Sequence, residues 1–178
     1  MKKTNLQIRK LTYSALCLAL GLVLPFLTGQ IPEIGSMLCP MHIPALLCGF
    51  LCGWPWGLVV GFLTPILRSF LFSMPPLVPA IAMAFEIGTY GAVAGLLYQR
   101  LPHKRWRIYA SLIPAMIIGR VIWGGAQLVI TGLQQTEFTV AIFLAGAVTN
   151  AIPGIILQLV LIPVIVAVLD RAKLILNE

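Results

Sequence analysis

HIPALLCGFLCGWPWGLVVGFLTPILRSFLFSMPPLVPAIAMAFEIGTYGAVAGLLYQR, residues 42–100, decides the fold. Three apolar runs, about 43–53, 57–72 and 79–98, are divided by the breaks WPWG (54–57) and SMPPLVP (73–79). Between His42 and Gln99 only Arg68 and Glu86 are charged. Runs of this length and polarity are read as membrane-crossing helices, and the Pro/Gly breaks as the turns between them. The first of the three is too short to cross alone, about 16 Å if helical. Ahead of it, IPEIGSMLCPMHIP is apolar but broken by Pro32, Pro40 and Pro44. Irregular backbone survives at membrane depth only where it is buried in protein or lines a cavity. Residues 30–44 are therefore expected to dip inward from outside and cap a pocket.

The rest of the chain agrees. Of its 178 residues 60% are hydrophobic and 10% charged, with a mean hydropathy of +0.99. Soluble domains carry roughly 25% charged residues. The net charge of +7 reflects membrane orientation rather than nucleic-acid binding, because the basic residues cluster beside apolar runs. MKKTNLQIRK followed by LTYSALCLALGLVLPFL resembles a signal peptide, but no small-residue cleavage site follows, so an uncleaved first span at about 11–28 is expected. Beyond the basic stretch RLPHKRWR (100–107) lie a span at about 108–131, the polar break GLQQTEF and an uncharged run from Phe138 to Leu169. Thirty-two residues make a helix of about 48 Å, longer than a hydrocarbon core of roughly 30 Å. Pro153 and Pro163 supply places for this last span, about 141–169, to bend.

Lys2, Lys3, Arg9 and Lys10 set the N-terminus inside, and the 100–107 loop belongs inside too. Parity then requires six crossings, with Arg171 and Lys173 also cytoplasmic. The expectation is one all-α membrane domain over residues 1–178, both termini cytoplasmic, with a capping first external loop.

Charge inside the membrane marks a pathway, a binding site or a structural pair. Arg68, Glu86 and Arg120 are such charges, and one positive charge is in surplus. Arg120, Trp123, Gly124 and Gln127 share a helix face, as do Met83, Glu86 and Tyr90. Asn150 lies a turn before Pro153, and His42 sits where the capping loop ends. Two accounts of Arg68 and Glu86 stay open, a structural pair or ligand contacts. Arg120 is expected to stand unpaired. A guanidinium beside an indole can grip a planar or carboxylate-bearing ligand.

Cys17, Cys39, Cys48 and Cys52 read as small apolar packing residues without metal-binding spacing. No phosphate loop, HExxH or GxSxG motif is present. Neither catalytic residues, a metal nor a cofactor is expected, and no nucleic-acid partner.

Six spans, a capping first loop and an outward pocket resemble the substrate-binding S components of energy-coupling-factor (ECF) vitamin transporters. Ala15 and Ala19 in ALCLA match the family's Ala-x-x-x-Ala motif, and residues 42–72 read like its second and third spans. The resemblance implies a multi-pass subunit of a bacterial cell membrane that binds a water-soluble vitamin at His42, Arg68, Glu86, Tyr90, Arg120, Trp123, Gln127 and Asn150. It also implies a transmembrane coupling subunit, docked at Ala15 and Ala19, and two partner ATPases that supply the energy. Within the family the chain most resembles the pantothenate-type branch. A surplus positive charge favours an anion such as pantothenate, nicotinate or folate. Riboflavin or a pyridoxine-like vitamin is the alternative if Glu86 neutralises one arginine and the other binds backbone carbonyls. A non-transport membrane scaffold is the competing class, in which the charges pair and leave no pocket.

Overall fold

The computed structural model describes residues 2–28, 31, 37–104, 106–134 and 139–177. In chain order the helices are α1 (Lys2–Val23), extended by a 3-10 turn over Leu24–Thr28, then α2 (His42–Cys52), α3 (Trp54–Phe72), α4 (Leu77–Arg100) and α5 (Arg107–Leu133). After these come α6 (Val140–Leu144), a π turn over Ala145–Thr149, and α7 (Ile152–Arg171).

Among the described residues, five helical segments are long and apolar enough to cross a membrane: Thr4–Leu27, Trp54–Phe72, Leu77–Arg100, Arg107–Leu133 and Ile152–Arg171. The run expected as a further crossing at 43–53 is the eleven-residue α2, about half a membrane in length. Its start is limited by Pro40 and its end by Gly53, whose φ of 100° suits glycine and strains other residues. Ten of its eleven residues are buried, so α2 is sheathed by protein rather than lipid.

Local chemistry explains the other boundaries. Pro55 lies in the first turn of α3, where its missing N–H costs nothing. That proline starts the helix at Trp54, three residues before the expected 57. The expected 141–169 span is divided, with the π turn ending just before Pro153, which stands in the first turn of α7.

α4 lies at the centre, packed against α2, α3 and α5. Close approach there depends on absent side chains. A Cβ on Gly57 would stand 2.7 Å from the Gly49 Cα, and one on Gly95 would stand 2.7 Å from the Gly49 carbonyl oxygen. Gly91 lies between Gly49 and Gly57 in the same way. Backbone meets backbone along this seam, as small residues permit in membrane helices. α7 touches α2 and, lightly, α5, so the α5–α7 side is the looser wall.

Of the expected capping loop, residues 29–30 and 32–36 lie outside the described residues. The described part turns inward: Cys39 and Met41 are buried, and the Met37 carbonyl oxygen lies 2.6 Å from where a Gly154 Cβ would stand.

Candidate functional site

Helix length brings the site together. Arg120 is 13 residues from the start of α5 at Arg107, and Glu86 is 14 residues from the end of α4 at Arg100. At 1.5 Å per residue both stand about 20 Å from the end of the bundle that carries the 100–107 loop. α4 and α5 are antiparallel neighbours, so the two side chains meet. Arg120 Nη1 lies 2.8 Å from Glu86 Oε1. α2 spans only the near half of the bundle, so its first residue reaches the same depth, with His42 Nε2 3.2 Å from Glu86 Oε1. A carboxylate at a helix N-terminus is favoured by the backbone dipoles there.

This geometry corrects one expectation and closes one of two open accounts. Arg120 is paired, with Glu86, and Arg68 does not pair with Glu86. Arg68 is buried at the far end of α3 and donates from Nη1 to the Leu22 carbonyl at the end of α1. Its guanidinium also lies 4.8 Å from the Phe26 ring centroid and 5.3 Å from that of Phe72. Depth is the reason. Arg68 is four residues from the end of α3 and Glu86 nine from the start of α4, a mismatch of about 8 Å.

Tyr90, one turn along α4 from Glu86, is fully buried, with its ring 4.9 Å from the His42 ring. Gly119 makes room for it, since a Cβ there would collide with the Tyr90 ring. Arg120 Nη2 also donates to Cys39 Sγ at 3.5 Å. Cys39 adopts a left-handed φ of 49°, uncommon outside glycine, and its carbonyl accepts the His42 N–H at 3.1 Å. The inward-turned segment is thereby fastened to α2 and α5 together.

Beside this cluster lies a cavity of about 320 Å³ lined by residues of α4, α5, α6 and α7, Arg120, Tyr90, Met116, Phe143 and Leu159 among them. The volume is at the small end of the roughly 300–1,000 Å³ typical of ligand sites. Its walls are apolar except for Arg120 and Tyr90. Several buried polar atoms make no hydrogen bond: Arg120 Nε, Tyr90 Oη, both His42 ring nitrogens and Glu86 Oε1, so Arg120 and His42 approach Glu86 at ion-pair distance without hydrogen-bond geometry. Buried polar atoms are almost always satisfied, so a group of orphans around a cavity calls for a partner.

The other sequence-derived residues fall elsewhere. Trp123 stacks on Phe143, with centroids 6.2 Å apart, rather than standing open beside Arg120. The Gln127 carbonyl accepts from Thr131 Oγ1 at 2.8 Å. Asn150 is exposed, and its backbone N–H donates to the Ala145 carbonyl at 2.8 Å, closing the π turn. Ala15 and Ala19 lie on the exposed face of α1.

Two residues were missed. One is Cys39, read only as packing. The other is Gln158 on α7, almost fully buried with neither amide atom hydrogen-bonded. A polar residue inside the uncharged Phe138–Leu169 run was the available signal for the latter.

No curated protein and no solved structure matches this chain. The family model described as "ECF transporter, substrate-specific component" matches residues 9–166. With nearly the whole chain covered, a multi-pass helical body and a polar cluster beside a cavity, the protein belongs to the substrate-specific components of ECF transporters.

Proposed function

We propose that this chain is the substrate-binding subunit of an ECF importer in a bacterial plasma membrane, and that it holds a small water-soluble vitamin in the cavity bounded by α4, α5, α6 and α7. The observation that carries this reading is the pair of orphaned polar atoms, Arg120 Nε and Tyr90 Oη, on residues of an otherwise apolar wall. Both atoms are sealed from the cavity, so a ligand carbonyl or hydroxyl would reach them as the α5–α7 side opens, while an apolar ring or chain fills the remainder.

Charge selects among vitamins. Glu86 compensates Arg120, and the Leu22 carbonyl with two aromatic faces accommodates Arg68. The surplus positive charge that favoured an anion is therefore not at the cavity. An uncharged ligand of the riboflavin or pyridoxine type suits a neutral pair. Pantothenate is the second reading, favoured by His42 beside the same carboxylate, since an imidazole N–H is a donor that a ligand carboxylate can take up.

Exposed Ala15 and Ala19 fit a docking face for the coupling subunit, which with two ATPases would energise uptake. The capping segment, His42 and Glu86 would orient Arg120; Trp123, Gln127 and Asn150 would reach the ligand only after α6 rearranges.

A thermal-shift panel of riboflavin, pyridoxine, pantothenate, nicotinate and folate with the purified protein tests the reading. One compound is expected to raise the melting temperature, and the shift should disappear in Arg120→Ala and Tyr90→Phe together. Stabilisation by none of the panel, with uptake unaffected by Arg120→Ala, would sink it. Ala15→Leu is expected to abolish uptake and leave the shift intact.

A further inference from the structure

After α7 the chain does not simply end. Lys173 adopts a left-handed φ of 55°, and the Leu174 N–H donates back to the Leu169 carbonyl at 3.0 Å. This is the six-to-one bond of a Schellman turn, which reverses the chain at a helix end. The reversed segment runs over the corner between α2 and α3. There the Leu176 N–H donates to the Leu51 carbonyl at 2.7 Å. The Asn177 side-chain amide divides its hydrogens between the Gly49 carbonyl of α2 at 3.2 Å and the Gly95 carbonyl of α4 at 3.0 Å. Asn177 is 2% exposed, and its Oδ1 lies 2.7 Å from where a Gly53 Cβ would stand. Ile175 packs on a cluster that contains Cys17, Cys48, Leu51 and Cys52.

Of these carbonyls, that of Leu51 is one the helix end leaves without an intrahelical donor, since Pro55 has no N–H. The Gly49 carbonyl also accepts the Gly53 N–H at 3.1 Å, and Gly95 lies inside α4, so there the Asn177 amide adds a second donor. α2 is one short helix. Its first residue, His42, contacts Glu86, and its last turn is held by Asn177 and Leu176.

We propose that residues 174–177 form a releasable strap. When down, it ties the last turn of α2 to α4 and packs through Ile175 on the cluster that holds Cys48 and Cys52; when lifted, it loosens that turn and opens the cluster, while the glycine seam holds the rest of α2. The fastening is three hydrogen bonds and the packing of Ile175 and Leu176, far less than holds any of the long helices, so this segment opens before the bundle does. Cys39, at the opposite end of α2, belongs to the polar cluster and not to the strap. Neither the strap nor its test depends on which ligand the cavity takes.

The four native thiols read the device out. Alkylation by a small maleimide, followed by mass spectrometry of each cysteine peptide, is measured on the full-length protein in lipid nanodiscs. Variants are Asn177→Ala, the double variant Leu176→Pro/Asn177→Ala, which removes all three donors and leaves Ile175, and a chain lacking 174–178. Labelling of Cys48 and Cys52 is expected to rise about tenfold or more when three ordinary hydrogen bonds are removed. Cys39 labelling should stay at its original rate, and Asn177→Gln should restore part of the protection. Unchanged labelling of Cys48 and Cys52 in the double variant overturns the proposal. So does an equal rise at all four cysteines, which would make the tail a general stabiliser of the fold.

Discussion

Removing the Glu86 carboxylate isolates the energetics of the site. In Glu86→Gln the Arg120 guanidinium, 14% exposed and 2.8 Å from its carboxylate, keeps its charge because arginine does not deprotonate in proteins. Coulomb's law at an effective dielectric of about 20 gives about 6 kcal/mol for unit charges at that separation. Desolvation offsets part of this, and breaking one side of a buried pair costs about 3–5 kcal/mol in measured cases. For a chain of this length 1 kcal/mol corresponds to roughly 2–4 °C in melting temperature. Glu86→Gln is therefore expected to melt about 6–20 °C lower than the parent in the same detergent. The double variant Glu86→Gln/Arg120→Gln should recover much of the loss, with a coupling energy of at least about 2 kcal/mol from the double-mutant cycle. A parallel cycle of Glu86→Gln with Arg68→Gln should be additive within about 0.5 kcal/mol. Additivity in the first cycle, or coupling in the second, would refute the assignment of Glu86 to Arg120.

Arg68→Ala removes a charged donor to the Leu22 carbonyl and contacts with two aromatic faces, a loss of about 2–4 kcal/mol. Chemical or thermal unfolding should show it, while the affinity for any stabilising vitamin stays unchanged. Gly119→Val places side-chain atoms where the Tyr90 ring lies, so overpacking should cost about 1–3 kcal/mol. The vitamin-induced thermal shift should vanish in that variant even at temperatures where it remains folded. Gln158→Leu replaces a buried amide without partners by an apolar group of similar size and should stabilise the ligand-free protein by about 1–2 kcal/mol. A fall in its melting temperature would show that the amide has a partner.

Helix boundaries were legible because the chain marks them with residues whose backbone chemistry is narrow. WPWG opens α3 and SMPPLVP runs into the first turn of α4, because a proline is favoured at a helix start, and the basic 100–107 stretch separates α4 from α5. Partnership was harder, since periodicity shows which residues share a face but not what the face meets. Arg68 is turned toward α1 with Thr64, its neighbour one turn back, which lies against Gly21. A glycine in α1 one residue from the carbonyl that Arg68 grips was a faint signal. For Arg120 the signal was stronger, because equal counts from the 100–107 loop already put it level with Glu86. The tail had none. Nothing in Leu174–Asn177 sets it apart until the Leu51 carbonyl, left without a helical donor by Pro55, is seen to need one.

The glycine seam that joins α2, α3 and α4 has a mechanical consequence. Backbones in direct contact leave no side-chain rotamers to rearrange, so that half of the bundle behaves as a stiff frame. The half made by α5, α6 and α7 meets it at Tyr90, whose ring is seated on Gly119, and is itself joined by rings seated on glycines, Phe143 at Gly124 and Trp123 at Gly146. Rings on glycines can swing where fused backbones cannot. Motion that admits a ligand therefore belongs to the door side, and changes that retune specificity can accumulate there without disturbing the frame that keeps Glu86 and His42 in register.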